Sequence, residues 1–141
     1  MRILFLLTLL AATTAIAQLS VTVSPVEAVG QKAIVPLAMR NNFSVKIESA
    51  RAVCFILNDQ GKMVGQASRW VIGGQPEPAP GGEKAGLAAG ATNIFHFVVS
   101  ISKPIMATNL TAMVGFNRVV LGGGGLADLK QVIVTRRAHQ N

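Results

Sequence analysis

The sequence predicts an all-β protein, an antiparallel β-sandwich of about seven or eight short strands. Two observations carry that expectation. Apolar residues recur with a period of two rather than 3.6, and the alternating runs are separated at short intervals by turn-forming residues.

Leu19-Ser20-Val21-Thr22-Val23 alternates apolar and polar side chains and is closed by Pro25. Residues 34–40 form a second run, broken by Asn41-Asn42. Pro36 lies inside it and has no N–H to give a neighbour, which predicts a sheet edge or a bulge there. Residues 45–49 and 52–57 read as two further strands. In the second, Val53, Phe55 and Leu57 share one face and Cys54 and Ile56 lie between them. Phe55 and Leu57 are expected in the core. Asn58-Asp59-Gln60-Gly61 is a turn signal leading into a strand over 63–71.

The stretch 73–91 contains Gln75-Pro76-Glu77-Pro78-Ala79-Pro80-Gly81-Gly82, whose prolines and glycines exclude helix and strand. It reads as a long mobile surface loop. Residues 92–101 alternate again, with Phe95, Phe97, Val99 and Ile101 on one face and Ile94, His96, Val98 and Ser100 on the other. Leu110, Ala112, Val114 and Phe116 share a face of a strand over 110–120. Gly122-Gly123-Gly124-Gly125 lacks the following Gly-Lys-Ser/Thr of a phosphate loop and reads as a strand connection. Residues 126–131 have a faint helical look, and 132–135 are a last short β-branched run.

The N-terminus has the pattern of a secretory signal peptide over 1–17. Arg2 is the basic flank, Ile3 to Leu10 the apolar stretch, and Ala15-Ile16-Ala17 the small-residue cleavage site. Cleavage leaves 124 of the 141 residues and lowers the net charge from +7 to +6, since only Arg2 is lost. No later apolar run is long enough to span a bilayer at about 20 residues. The expected organisation is a signal peptide over 1–17, a β-sandwich over 18–135 and a basic polar tail over 136–141. The expected location is secreted or periplasmic.

Phe55-Ile56-Leu57-Asn58-Asp59-Gln60-Gly61-Lys62-Met63-Val64-Gly65 resembles the core of the bacterial FxLYD family. Phe55, Leu57 and Asp59 match, and Asn58 stands where the family name has Tyr. Asn41-Asn42 after the preceding strand and Leu87-Ala88-Ala89-Gly90-Ala91-Thr92 leading into Phe95 and Phe97 are also similar, so the resemblance covers residues 34–101. It implies an immunoglobulin-like sandwich of an exported bacterial protein, without established catalysis.

The composition narrows the chemistry. One Cys closes no intrachain disulfide, and one Cys with two His makes a poor metal-ligand set. Cys54 reads as a buried, inert thiol. A thiol enzyme would need a base beside it, and His96 and His139 are the two histidines of the chain. No serine lies in a nucleophile elbow, and the carboxylates show no paired spacing. The reading is therefore no enzyme, no cofactor and no catalytic or metal-binding residue. Asn42-Phe43-Ser44 and Asn109-Leu110-Thr111 match glycosylation sequons, expected to be unused in a bacterium.

The basic residues are dispersed and few aromatics accompany them, which argues against nucleic acid. The leading expectation is a binding or structural module of the cell envelope, acting through a loop end or an exposed strand edge. The alternative is a basic envelope protein binding anionic surface polymers or lipid headgroups. The partner is accordingly an unidentified envelope protein or an anionic surface polymer. The candidate contact residues are Trp70, just before the long loop, and Gln75, Glu77, Glu83 and Lys84 within it.

Overall fold

The computed structural model describes residues 18–74, 86–102 and 109–137. Among them, eight strands form two sheets packed as a β-sandwich. The larger sheet has five strands: β1 (Leu19–Val23), β2 (Glu27–Val29), β3 (Lys32–Asn41), β6 (Thr92–Ser100) and β8 (Val132–Arg136). The smaller has β4 (Ile47–Leu57) at its centre, flanked by β5 (Met63–Ile72) and β7 (Thr111–Leu121). β3 is the spine of the larger sheet. β6 runs antiparallel along one flank of β3, while β1 and β2 follow one another along the other. All pairings are antiparallel except β1 with β8, which run parallel from Leu19↔Val132 to Val23↔Arg136.

The expected alternation appears directly in the burial. Leu19, Val21 and Val23 of β1 point inward, as do Ala33, Val35, Leu37 and Met39 of β3 and Phe97 and Val99 of β6. β4 contributes Ile47, Ala50, Ala52, Cys54 and Ile56. Large side chains from the five-stranded sheet thus meet mostly small ones from β4 in one core cluster, the volume complementarity that dense packing requires.

Four sequence expectations need correction. The predicted strands 45–49 and 52–57 are one strand, β4, whose register shifts at Ile47/Ser49 and Arg51/Ala52 against β7. In it the faces are inverted: Cys54 and Ile56 are fully buried, Phe55 is 37% exposed, and Val53 and Leu57 are half-buried. Pro36 sits in the central strand of its sheet rather than at an edge. Its carbonyl accepts from Ser24 N–H at 3.0 Å, so its donor-less nitrogen faces the break between β1 and β2. The bond that proline forgoes, from residue 36 to the Ser24 carbonyl, falls just beyond the end of β1. Finally, the 73–91 stretch is not wholly a surface loop. Leu87 is buried and exchanges two 2.9 Å backbone hydrogen bonds with Ile47.

Those two bonds belong to a knot tied by Asn41, which is completely buried. Its Nδ2 donates to the carbonyls of Val45 at 3.0 Å and Leu87 at 2.9 Å, and its Oδ1 accepts from Phe43 N–H at 2.9 Å. Its backbone pairs with Gly90 and Ala91. One side chain therefore holds the β3–β4 connection and the entry to β6 together, and no buried side-chain nitrogen or oxygen of the described residues lacks a hydrogen-bond partner.

The two sheets also touch edge to edge at one corner, where Gly65 of β5 bridges Ile101. A Cβ on Gly65 would lie 2.9 Å from the Ser100 carbonyl oxygen, so only glycine allows this approach. Elsewhere, the Asn58 side chain closes the β4–β5 hairpin by accepting from Gln60 and Lys62 N–H, and Gly122 to Gly125 turn the chain after β7. The faint helical signal corresponds to one 3-10 turn, Leu129–Gln131.

Candidate interaction surface

The outer face of the β5–β4–β7 sheet follows from register. Directly paired residues project from the same face of a sheet. Arg51 lies between Trp70 and Arg118, Val53 between Ser68 and Gly115, Phe55 between Gln66 and Met113, and Leu57 between Met63 and Thr111. Met63 and Met113 are each 52% exposed. The central strand therefore carries an apolar row, Val53-Phe55-Leu57, that faces away from the core and is widened by two flexible methionines. Gly115 adds no side chain beside Val53, which leaves that flank open. At one end the row passes into charge, with Arg51 and Arg118 opposite one another.

Trp70 anchors that charged end. The Arg51 guanidinium carbon lies 5.6 Å from the indole centroid, within cation–π range. Gly74 packs so closely on the same ring that a Cβ there would overlap its Cγ. Arg51, Ser68, Arg69, Trp70 and Gly74 line an open cleft of about 340 Å³. Among the described residues, no carboxylate lines it.

Of the sequence-predicted contact residues, Trp70 is half-buried at this cleft. Gln75, Glu77, Glu83 and Lys84 lie outside the described residues. The residues that sequence reasoning missed are Arg51, Phe55 and Met113. Their signal was present in phase: Arg51 lies an even number of residues from Phe55, and a charge in that phase marks a solvent-facing side.

The thiol and the histidine are kept apart. Cys54 is buried in the core, and desolvation raises its pKa from 9.0 to about 11, so it is a neutral thiol at physiological pH. His96 is exposed on the outer face of the opposite sheet, paired with Pro36. No group of three or more His, Cys, Asp or Glu able to hold a metal occurs among the described residues. A second cleft of about 330 Å³ opens between Val23, Pro25, Leu110 and Arg136 at the seam between the sheets.

No family model matches the sequence, and no curated protein matches it. Among solved structures, the chain is similar to part of a β-glucuronidase from glycoside hydrolase family 2, with 12% identity and a TM-score of 0.41. The match covers 72% of this chain and 10% of that one. No helix among the described residues is long and apolar enough to cross a membrane.

Proposed function

We propose that the chain is an exported, non-catalytic binding module of the cell envelope. It docks a protein partner on the outer face of the β5–β4–β7 sheet. The observation supporting this reading is the outward apolar row of Val53, Phe55 and Leu57 with Met63 and Met113 beside it. Exposed apolar side chains gathered on one face are characteristic of docking sites, and methionines adapt to irregular partners. Separation of Cys54 from His96 favours binding over thiol catalysis.

A photocrosslinking residue in place of Gln66, beside Phe55, tests it in the native envelope. A discrete adduct that Phe55→Lys abolishes and Ile94→Lys, on the other sheet, leaves intact is the expected result. Equal loss with both substitutions, or no adduct at all, would overturn the reading.

The mature charge of +6 favours a second reading, a module retained on anionic polymers or lipid headgroups. Retention on heparin or anionic vesicles no stronger than that of a charge-matched control would remove it.

A further inference from the structure

The cleft at the seam between the sheets joins an apolar wall to a cation in the inner phase. The wall comes from both sheets: Val23 at the end of β1, with Leu110 and Ala112 where the chain enters β7, all three buried. Pro25 and Val26, between β1 and β2, add to it.

Arg136 joins this wall by register. The parallel ladder sets the buried Leu19, Val21 and Val23 beside Val132, Val134 and Arg136 in turn. Residues side by side in a ladder share a face, so Arg136 continues the inner phase of β8, in which Val132 and Val134 pack on the core. Arg136 is itself exposed, so that phase ends in a charge at the opening of the sandwich. Arg137 N–H donates to the Val23 carbonyl at 2.8 Å and fixes the backbone there. Among the described residues, no carboxylate lines the cleft, and no hydrogen bond or ion pair engages the Arg136 side chain.

An arginine at the end of a core can cover apolar surface with its stem and keep its head in water. Here an apolar volume of about 330 Å³ opens in front of it. That is room for about eleven water-sized groups at about 30 Å³ each, too little for a two-chain lipid or a stretch of polysaccharide. A neutral apolar ligand would leave the guanidinium without a partner, and a small inorganic anion would leave the wall wet. A carboxylate on an aliphatic chain of about eight carbons satisfies both, with charge-assisted hydrogen bonds at one end and apolar burial at the other.

We infer that this cleft takes a medium-chain aliphatic carboxylate, its chain against Val23, Leu110 and Ala112 and its carboxylate on the Arg136 guanidinium. This goes beyond the docking reading of the β5–β4–β7 face and does not depend on it.

The probe is sodium octanoate. Its comparators are octanamide, which keeps the chain without the charge, and acetate, which keeps the charge without the chain. Calorimetric titration of the whole protein should give saturable octanoate binding with a Kd on the order of 0.1–1 mM. Backbone amide NMR shifts should centre on Val23, Val26, Leu110 and Arg136. Octanamide should bind at least about tenfold more weakly, and acetate should not saturate. Arg136→Gln should weaken octanoate about tenfold, while Lys130→Gln, the same charge change before the other end of β8, should weaken it less than about twofold. Unchanged urea midpoints show that both variants are folded, and the comparators on the unaltered protein decide the matter if either is not. Phe55→Lys should leave octanoate binding intact even if it abolishes partner capture.

Equal binding of octanamide overturns the role of Arg136, and equal binding of acetate overturns the apolar seat. Equal effects of Arg136→Gln and Lys130→Gln overturn the site in favour of diffuse charge. Shifts centred on Phe55 and Met113 place the ligand on the outer face and overturn it too. Binding of Ac-Val-Leu-OH without binding of octanoate assigns the cleft to a polypeptide C-terminus and overturns the proposal.

Discussion

Replacing Asn41 with alanine removes the side chain that ties three backbone groups together. Phe43 N–H and the Val45 carbonyl lose their Asn41 partner, while the Leu87 carbonyl keeps the bond from Ile47 N–H. At about 1 kcal/mol for each half-buried group, less for Leu87, and about 1 kcal/mol for the void, the loss is about 3 kcal/mol. Against a total stability on the order of 5–15 kcal/mol, that is a large share. With a urea slope of about 2 kcal/mol per M, the unfolding midpoint should fall by about 1.5 M.

Asn41→Asp is the sharper variant. It keeps the shape but turns an oxygen toward two carbonyl oxygens and buries a charge. It should be less stable than the alanine variant at neutral pH. Burial and those oxygens raise the folded-state pKa of the new carboxyl above its unfolded value. Stability is then recovered as pH falls through that raised pKa, which the alanine variant will not show. A loss below about 1 kcal/mol for Asn41→Ala would refute the knot as a stabilising element.

Two other predictions test the core. Ile56→Ala should cost about 2–4 kcal/mol in urea unfolding and Phe55→Thr about 1 kcal/mol or less, and the reverse order would invert the face assignment of β4. Cys54 ionises near 9.0 when unfolded and near 11 when folded, so stability is lost as pH rises through that window. Relative to Cys54→Ala, the wild type should lose about 2 kcal/mol between pH 8 and 10.5, and native thiol labelling at pH 8 should be no faster than opening of the domain.

The fold class was legible because alternation survives burial, and the ranges of β1, β5, β6, β7 and β8 agree with their patterns closely. Which face of β4 lies inside was not. A period of two divides a strand into two faces without saying which is buried, and the larger residues Phe55 and Leu57 suggested the wrong one. The core opposite β4 is already filled by Leu37, Met39 and Phe97, so Ala50, Ala52 and Cys54 fit it better. Dividing β4 at residues 49–52 also hid Arg51, the charge that marks the outer phase. Pro36 misled for a related reason: a proline is excluded only where its nitrogen faces a partner, and that depends on where β1 ends. Trp70 was legible as a candidate, but its cleft depends on Arg51 across the ladder, which sequence separation does not reveal.

The parallel pairing of β1 with β8 has a mechanical consequence. Leu19 lies beside Val132 and Val23 beside Arg136, so the chain enters β1 at one end of the sandwich and leaves β8 at the other. Tension applied through these ends slides the two strands past one another along their length. The ladder, extended at its ends by Gln18 N–H on the Gln131 carbonyl and Arg137 N–H on the Val23 carbonyl, is then loaded in shear across all its rungs together. A hairpin pulled from its open end would give way one rung at a time. The same hydrogen bonds, arranged this way, make the domain a stiff link in any chain that carries force.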